Sequence, residues 1–349
     1  MTESTSPPAL VQIIRDQRNR QRGSLYRCCI VFITLLIVGV ITTLLVGQSM
    51  TAPTEAFRAI LGEEIAGVSF TVRELRFPRA VLACLAGASF GLSGAAFQVL
   101  LRNPLASPDI IGISAGAGAA AVFTIVFWGA TGLSVSIAAV VAALVVALLI
   151  YLLAWRDGVA GGRLILIGIG IAAMLQSVTA YSLSKAPAWR LEEALRWLTG
   201  TLNGATLAQA APVALTLVFC AAILLSHSRA LSALQMGDDT ASAIGVPVAR
   251  TRLLVVLSAV GAIAVATAVC GPIAFVAFLA RPIASRVART GGPLLLISAL
   301  SGAVLVLLAD FAGQHLLPAR YPVGIMTGVL GAPYLLYLLV RMHRKGGIA

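Results

Sequence analysis

Eight charge-free apolar runs of at least 20 residues constrain this fold more than any other feature. A helix crosses the hydrocarbon core with about 20 apolar residues, and a charge at its centre costs about 2.5–3.5 kcal/mol on insertion scales. Only 11% of the residues are charged, against about 25% in soluble domains, which excludes a soluble globular protein. The runs cover residues 28–54, 80–101, 110–155, 164–184, 197–228, 253–280, 290–309 and 321–340.

The number of spans follows from the lengths of these runs. The run at 110–155 has 46 residues, enough for two spans joined at the Gly-Ala-Thr-Gly turn of residues 129–132. That gives nine spans, which would leave the basic leader and the basic tail on opposite sides. We therefore predict a tenth, short and broken helix at about 272–289, through Arg281 and Pro282. The predicted fold is an all-α polytopic membrane protein, a compact bundle of about ten helices with both termini cytoplasmic.

Basic residues predict which side is cytoplasmic. With ten spans and the N-terminus inside, 17 of the 25 Lys and Arg lie on inner segments, as the positive-inside rule requires. Residues 1–27, 231–247 and 343–349 are then cytoplasmic, and residues 49–75 and 185–196 lie outside. The single transmembrane domain covers 28–342. Of nucleic acid, an anionic membrane surface and orientation signals beside the spans, the net charge of +12 fits the last, because the charges lie between apolar runs. We expect membrane lipids and no nucleic acid as partners.

Several kinds of active site are missing from the sequence. A P-loop needs Gly-Lys-Ser/Thr, but Lys185 lies between Ser184 and Ala186, and Lys345 follows Arg344. We therefore expect no ATP hydrolysis by this chain. The three His and five Cys have no metal-site spacing, so we expect no catalytic residue, metal or cofactor. All 13 Asp and Glu lie between or at the ends of the runs, which disfavours an ion-coupled carrier.

Three stretches carry more specific information than hydropathy. They are Arg76-Phe77-Pro78-Arg79 leading into GASFGLSGAAFQVLLRNPLASPDIIGISAGAG, the segment ALQMGDDTASAIGVP, and PVGIMTGVLGAPYLLYLL. In order and spacing, over about residues 70–342, they resemble the FecCD family. These are the membrane permease subunits of ABC importers for ferric siderophores, haem and vitamin B12.

The resemblance implies a permease of a bacterial inner membrane that moves a ferric siderophore, or else haem or cobalamin. It also implies two cytoplasmic ATP-binding subunits, a second permease copy or related permease, and an extracellular or periplasmic substrate-binding protein. The rival function is a secondary transporter or channel independent of ATP. Transport by the purified protein alone in liposomes, with or down an ion gradient, would favour the rival.

The inner loop at 231–247 predicts two short helices. Leu231, Leu234 and Gln235 form an amphipathic turn, Gly237 breaks it, and Asp238 or Asp239 can cap a second helix that ends at Gly245 and Pro247. An ordinary connecting loop is the alternative. The resemblance implies that this segment couples to the ATPase subunit, with these candidate residues: Leu234, Gly237, Asp238, Asp239, Ala241, Ile244 and Gly245.

Two further groups of residues take candidate roles from the resemblance. Arg76 and Arg79 flank a proline at the outer interface, where arginines commonly anchor a span. The family implies that they also dock the binding protein. A third family arginine is replaced here by Gln314, with Arg320 nearby. At the broken helix, Arg281 and Pro282 depart from the Pro-His of the family, and they either anchor the inner face or line an inner gate.

Overall fold

The computed structural model describes residues 7–47, 50–109, 111–154 and 161–346, and within these ranges it contains helices and no strands. This confirms the all-α class. The helices are α1 (Pro7–Leu45), α2 (Pro53–Ile60), α3 (Phe77–Leu100), α4 (Ile113–Trp128), α5 (Leu133–Ala154), α6 (Gly161–Ser184), α7 (Ala188–Leu198), α8 (Leu207–Ser226), α9 (Ser228–Gln235), α10 (Asp238–Ala243), α11 (Val248–Cys270), α12 (Val276–Ala288), α13 (Leu295–His315) and α14 (Val323–Gly346). A π-helical turn, Thr71–Arg76, directly precedes α3.

Each of the ten predicted spans contains one of these helices. In the described part of the chain, seven helical stretches are long and apolar enough to cross a membrane, in α1, α3, α5, α6, α8, α11 and α13. Two shorter apolar helices are α4 and the first part of α14, Val323–Leu338. The tenth, α12, has 13 residues and is therefore about 20 Å long. The number of full crossings stays a prediction.

The boundary inside the longest apolar run is where the sequence predicts it. Helix α4 ends at Trp128 and α5 begins at Leu133. Gly129 has φ 62° and Gly132 has φ 59°, a backbone region that is open to glycine at little steric cost. Two glycines in this conformation reverse the chain, so one apolar run makes two antiparallel helices.

Two other boundaries differ from the prediction. Helix α1 continues without a break from Pro7 through the basic leader, because Arg and Gln are good helix formers. The predicted span at 197–228 begins too early, since its helix α8 starts at Leu207. The first two residues of that run are the last two of α7, and Gly200, at φ 68°, interrupts the helical conformation shortly after them.

Helix α3 lies at the centre of the bundle and packs against α13, α11, α12 and α8. Glycine allows a close approach between α3 and α13: a Cβ on Gly87 would lie 2.4 Å from the carbonyl oxygen of Gly302 in α13. Gly91, one turn later, faces Ser298 and Gly302 in the same way. The small residues Gly87 and Gly91 thus let α3 pack closely against α13.

The outer faces of the peripheral helices are apolar and exposed. On α8, for example, Leu215 and Val218 are 73% and 71% exposed. In water such surfaces would be unfavourable, whereas in a bilayer they contact lipid tails. The bundle therefore presents a surface suited to hydrocarbon.

Candidate functional site

The loop between α8 and α11 forms two short helices, as predicted. Helix α9 ends at Gln235, Gly237 has φ 120°, and α10 covers Asp238–Ala243. Gly245, at φ 85°, ends the second helix, and Pro247 precedes α11. The predicted cap by Asp238 or Asp239 is wrong, because Gly237 is the N-cap residue and no side chain caps α10.

The predicted coupling residues fall into buried, half-buried and exposed groups, with Gly237 and Asp238 half-buried. Leu234 and Ala241 are buried and pack the two short helices onto the bundle. Asp239, Ile244 and Gly245 are exposed. Met236, which the sequence did not single out, lies in the same turn region and is 70% exposed. We call the four exposed residues Met236, Asp239, Ile244 and Gly245 the loop face.

Asp238 connects this loop to two of the long helices. Its carboxylate accepts hydrogen bonds from Arg252 Nη2 in α11, at 2.9 Å for Oδ1 and 2.7 Å for Oδ2. It also accepts one from Arg102 Nη2, and Arg102 Nε donates to the carbonyl oxygen of Leu234 at 2.7 Å. We call Arg102, Asp238 and Arg252 the Asp238 clamp.

The clamp joins three parts of the fold through charge-assisted hydrogen bonds. Arg102 follows the end of α3 and has φ 50°, so the chain turns there and carries the guanidinium toward the loop. Sequence reasoning treated Arg102 and Arg252 only as inner positive charges. The position of Arg102 in the RNPLAS segment could have marked it as a candidate. Its partners could not be predicted, because Leu234 and Asp238 lie 132 and 136 residues away in the chain.

At the opposite end of α3, Arg79 forms a buried ion pair. Its Nε and Nη2 donate to the two carboxylate oxygens of Asp310 at 2.6 and 2.7 Å. Its Nη1 donates to Asn203 Oδ1 at 2.7 Å. The side chains of Arg79 and Asp310 are 17% and 3% exposed, so the pair joins α3 and α13 within the bundle.

The other two predicted docking residues lie in different surroundings. Arg76 is half-buried, and its Nη1 donates to the Leu44 carbonyl oxygen at 2.8 Å and to Thr51 Oγ1 at 3.2 Å, which ties the end of α1 to the start of α3. Arg320 is exposed in the segment between α13 and α14. Arg76 and Arg79 therefore bond within the bundle, whereas Arg320 presents its charge to the surroundings, and docking by the three stays a prediction.

The predicted gate residues lie inside α12. Pro282 is an interior residue of this helix, and Arg281 is half-buried with Nη2 donating to the Gly292 carbonyl oxygen at 3.0 Å. This contact holds the segment between α12 and α13. The anchor and the inner gate both stay predictions for these two residues.

The RNPLASPDIIGISAGAG segment places Asp109 beside a cavity of about 300 Å³. The Asp109 carboxylate accepts hydrogen bonds from the hydroxyls of Ser107, at 3.3 Å, and Ser114. Non-helical backbone within a membrane domain is tolerated where it is buried in protein or lines a cavity. The cavity is lined by Asp109, Ser114, Leu198, Thr199, Pro272, Ile273, Ala274, Gly324 and Ile325.

Metal-ligating side chains are dispersed. Among the described residues there is no group of three or more His, Cys, Asp or Glu that could hold a metal ion. All five cysteines are free thiols, and Cys28, Cys220 and Cys270 are buried.

The chain matches the model of the FecCD transport family over residues 35–341. It is 40% identical to the ferric enterobactin transport system permease protein FepG of Escherichia coli (strain K12), over 91% of this chain and 96% of that protein. It is 38% identical to the achromobactin transport system permease protein CbrC of Dickeya dadantii (strain 3937), over 88% and 90%. It is also 33% identical to the Fe(3+)-citrate import system permease protein YfmE of Bacillus subtilis (strain 168), over 95% and 100%.

A solved structure shares the fold. It is described as a metal-chelate type ABC transporter in an inward-facing conformation, and it is 24% identical to this chain, with a TM-score of 0.79. The match covers 90% of this chain and 99% of that one. The helical arrangement described above is therefore also found in an experimentally solved protein.

Proposed function

The chain belongs to the FecCD transport family, and from that premise we propose that it is the membrane permease subunit of an ATP-driven importer of ferric siderophores. The observation that carries the proposal is the 40% identity to a ferric enterobactin permease along almost the whole of both proteins. With its apolar helices, the chain is a multi-pass protein of a bacterial inner membrane.

The cargo class follows from the relatives. They are named for ferric enterobactin, achromobactin and Fe(3+)-citrate, and a further one, 33% identical, for iron(3+)-hydroxamate. Ferric enterobactin, Fe(3+)-citrate and iron(3+)-hydroxamate each combine an iron(III) ion with a small-molecule chelator. A ferric siderophore is therefore preferred over haem or cobalamin as the cargo of this chain.

In this proposal, ATP hydrolysis by partner subunits drives transport. Two ATP-binding subunits dock on the cytoplasmic side, where the exposed loop face offers Met236 and Ile244 as apolar contacts and Asp239 as a charge. Movement of the docked loop reaches α3 and α11 through the Asp238 clamp. This chain supplies no ATPase site of its own, since neither lysine lies in a P-loop sequence.

The outer side receives the cargo. We propose that a substrate-binding protein docks there through charge pairs and that Arg320 contributes most. The guanidinium of Arg76 already bonds to Leu44 and Thr51, and that of Arg79 already bonds to Asp310. A second copy of this chain, or a related permease, completes the pathway. The buried pair at Arg79 then positions the docking surface rather than forming its centre.

Reconstitution tests this proposal against an ATP-independent carrier or channel. The permease is incorporated into proteoliposomes alone, or together with its ATPase subunit and binding protein. Uptake of radiolabelled ferric enterobactin, ferric hydroxamate and ferric citrate is then measured. We expect uptake of at least one chelate only in the complete system with ATP. Uptake by the permease alone, with or down an ion gradient, would support the rival function.

A further inference from the structure

A basic and apolar groove lies at the predicted cytoplasmic ends of α1, α8 and α13. One cavity, of about 420 Å³, is lined by Gln21, Arg22, Leu25 and Arg229. A second, of about 330 Å³, is lined by Leu25, Cys29, Leu225, Ser228, Arg229, Ser232, Gly291, Pro293, Leu294, Leu295, Leu296 and Ile297. Because Leu25 and Arg229 line both cavities, the two cavities are adjacent, and together we call them the inner groove.

The two halves of the inner groove differ in polarity. The first half carries the guanidinium groups of Arg22 and Arg229, and no Asp or Glu lines either half. Neither arginine has an ion pair within the described ranges. The second half is mostly aliphatic, with Leu225 and Leu296 exposed at 40% and 51%. The groove therefore combines a cationic half with an apolar half.

The helix that carries Arg22 is held in place. Ser24 Oγ donates a hydrogen bond to the Ala288 carbonyl oxygen, at the end of α12, at 2.6 Å. Cys28 and Phe32 are buried against Ala284 and Ile297, with Leu25 packed beside them. The inner groove is thus preformed by packing and needs no ligand to assemble it.

We propose that the inner groove binds an anionic phospholipid, with Arg22 and Arg229 at the phosphate and an acyl chain along Leu225 and Leu296. Basic pockets between membrane helices on the cytoplasmic side bind anionic headgroups. Leu225 lies in the last turn of α8 and Leu296 in the first turn of α13, so the apolar half lies at the ends of two membrane helices. A soluble anion would leave this half unfilled.

The ATPase subunit is the competing occupant, since Arg229, Ser228 and Ser232 belong to α9 beside the loop face. The lipid is favoured because exposed Leu225 lies on the same face of α8 as exposed Val218, two turns away, and such an apolar face suits lipid tails. The basic half also includes α1, which lies outside the α9 and α10 loop.

Native mass spectrometry of the purified full-length permease tests the proposal. The protein is titrated with phosphatidylglycerol or with phosphatidylcholine, and retained lipid is counted. We expect preferential retention of phosphatidylglycerol, about fivefold weaker after Arg22→Gln or Arg229→Gln and about 25-fold weaker in the double variant. Arg22→Lys with Arg229→Lys should retain the lipid, because lysine also binds phosphate.

The control double variant is Arg15→Gln with Arg250→Gln, which removes two exposed inner arginines that line neither cavity. Its retention of phosphatidylglycerol should equal wild type. Equal retention of both lipids, or an equal loss in this control, would overturn the proposal. So would displacement of the lipid by millimolar inorganic phosphate, which would indicate a simple anion site. Loss of ATPase-subunit docking in the Arg22 and Arg229 variant, with lipid retention unchanged, would assign the groove to that subunit.

Discussion

Arg79 and Asp310 are 231 residues apart in the sequence and form a bidentate salt bridge between α3 and α13, with N–O distances of 2.6 and 2.7 Å. The carboxylate is 3% exposed, and both of its oxygens accept hydrogen bonds from this one guanidinium. The pair lies in the same two helices that approach closely at Gly87 and Gly302. It therefore holds the outer ends of the central helices together.

Breaking this pair should destabilise the protein. Arg79→Leu leaves the Asp310 carboxylate buried without its partner, a change that typically costs about 3–5 kcal/mol. Thermal unfolding of the purified variant should show a clearly lower Tm. Arg79→Leu with Asp310→Leu should recover much of the loss, because no uncompensated charge remains. An unchanged Tm in the single variant would show that the pair contributes little.

This pair also shows what the sequence could and could not predict. The Gly129 to Gly132 turn and the two helices of the loop were predictable, because glycine conformations and apolar run lengths are local properties. The partner of Arg79 was not, because nothing in the spacing of the chain joins residues 79 and 310. Asp238 shows the same limit: local preference suggests an N-cap, but Arg252, 14 residues later, and Arg102, 136 residues earlier, bind it instead.

The close approach of α3 and α13 gives a second stability prediction. Gly87→Ala puts a methyl group about 2.4 Å from the Gly302 carbonyl oxygen, and backbone must move to admit it. We expect a loss of about 1–3 kcal/mol, measured as a lower Tm. The matched control is Gly170→Ala in α6, where no atom lies within 4 Å of the new methyl group. A similar change in both variants would contradict the packing between α3 and α13.

Topology can be tested with single cysteines on a Cys-free background. Thr240→Cys, exposed on α10, should react with a membrane-impermeant thiol reagent only after the cells are opened. Glu64→Cys, exposed between α2 and α3, should react in intact cells. These outcomes follow from the excess of basic residues on the inner segments. Labelling of Thr240→Cys in intact cells would reverse the assigned orientation.

Docking of the binding protein should depend on Arg320. Exposed charge pairs are screened over a Debye length of about 8 Å at physiological ionic strength, so affinity should fall as salt rises. Arg320→Glu should weaken docking about tenfold, measured by titration of the binding protein against the reconstituted complex. Arg73→Glu, an exposed outer arginine without a proposed role, is the control. Equal weakening by both variants would indicate a general charge effect and no specific contact at Arg320.

In the proposed mechanism the loop drives the bundle through the Asp238 clamp, and a double-mutant cycle in proteoliposomes tests this link. ATP-dependent uptake of the ferric chelate is measured for Asp238→Asn, Arg252→Gln and the double variant, with Ser242→Ala on α10 as the control. We predict that each clamp variant lowers uptake at least tenfold, that the double variant is no worse than either single one because both remove the same link, and that the ATPase subunit still docks. Wild-type uptake in Asp238→Asn, with the ATPase subunit docked, would contradict the account.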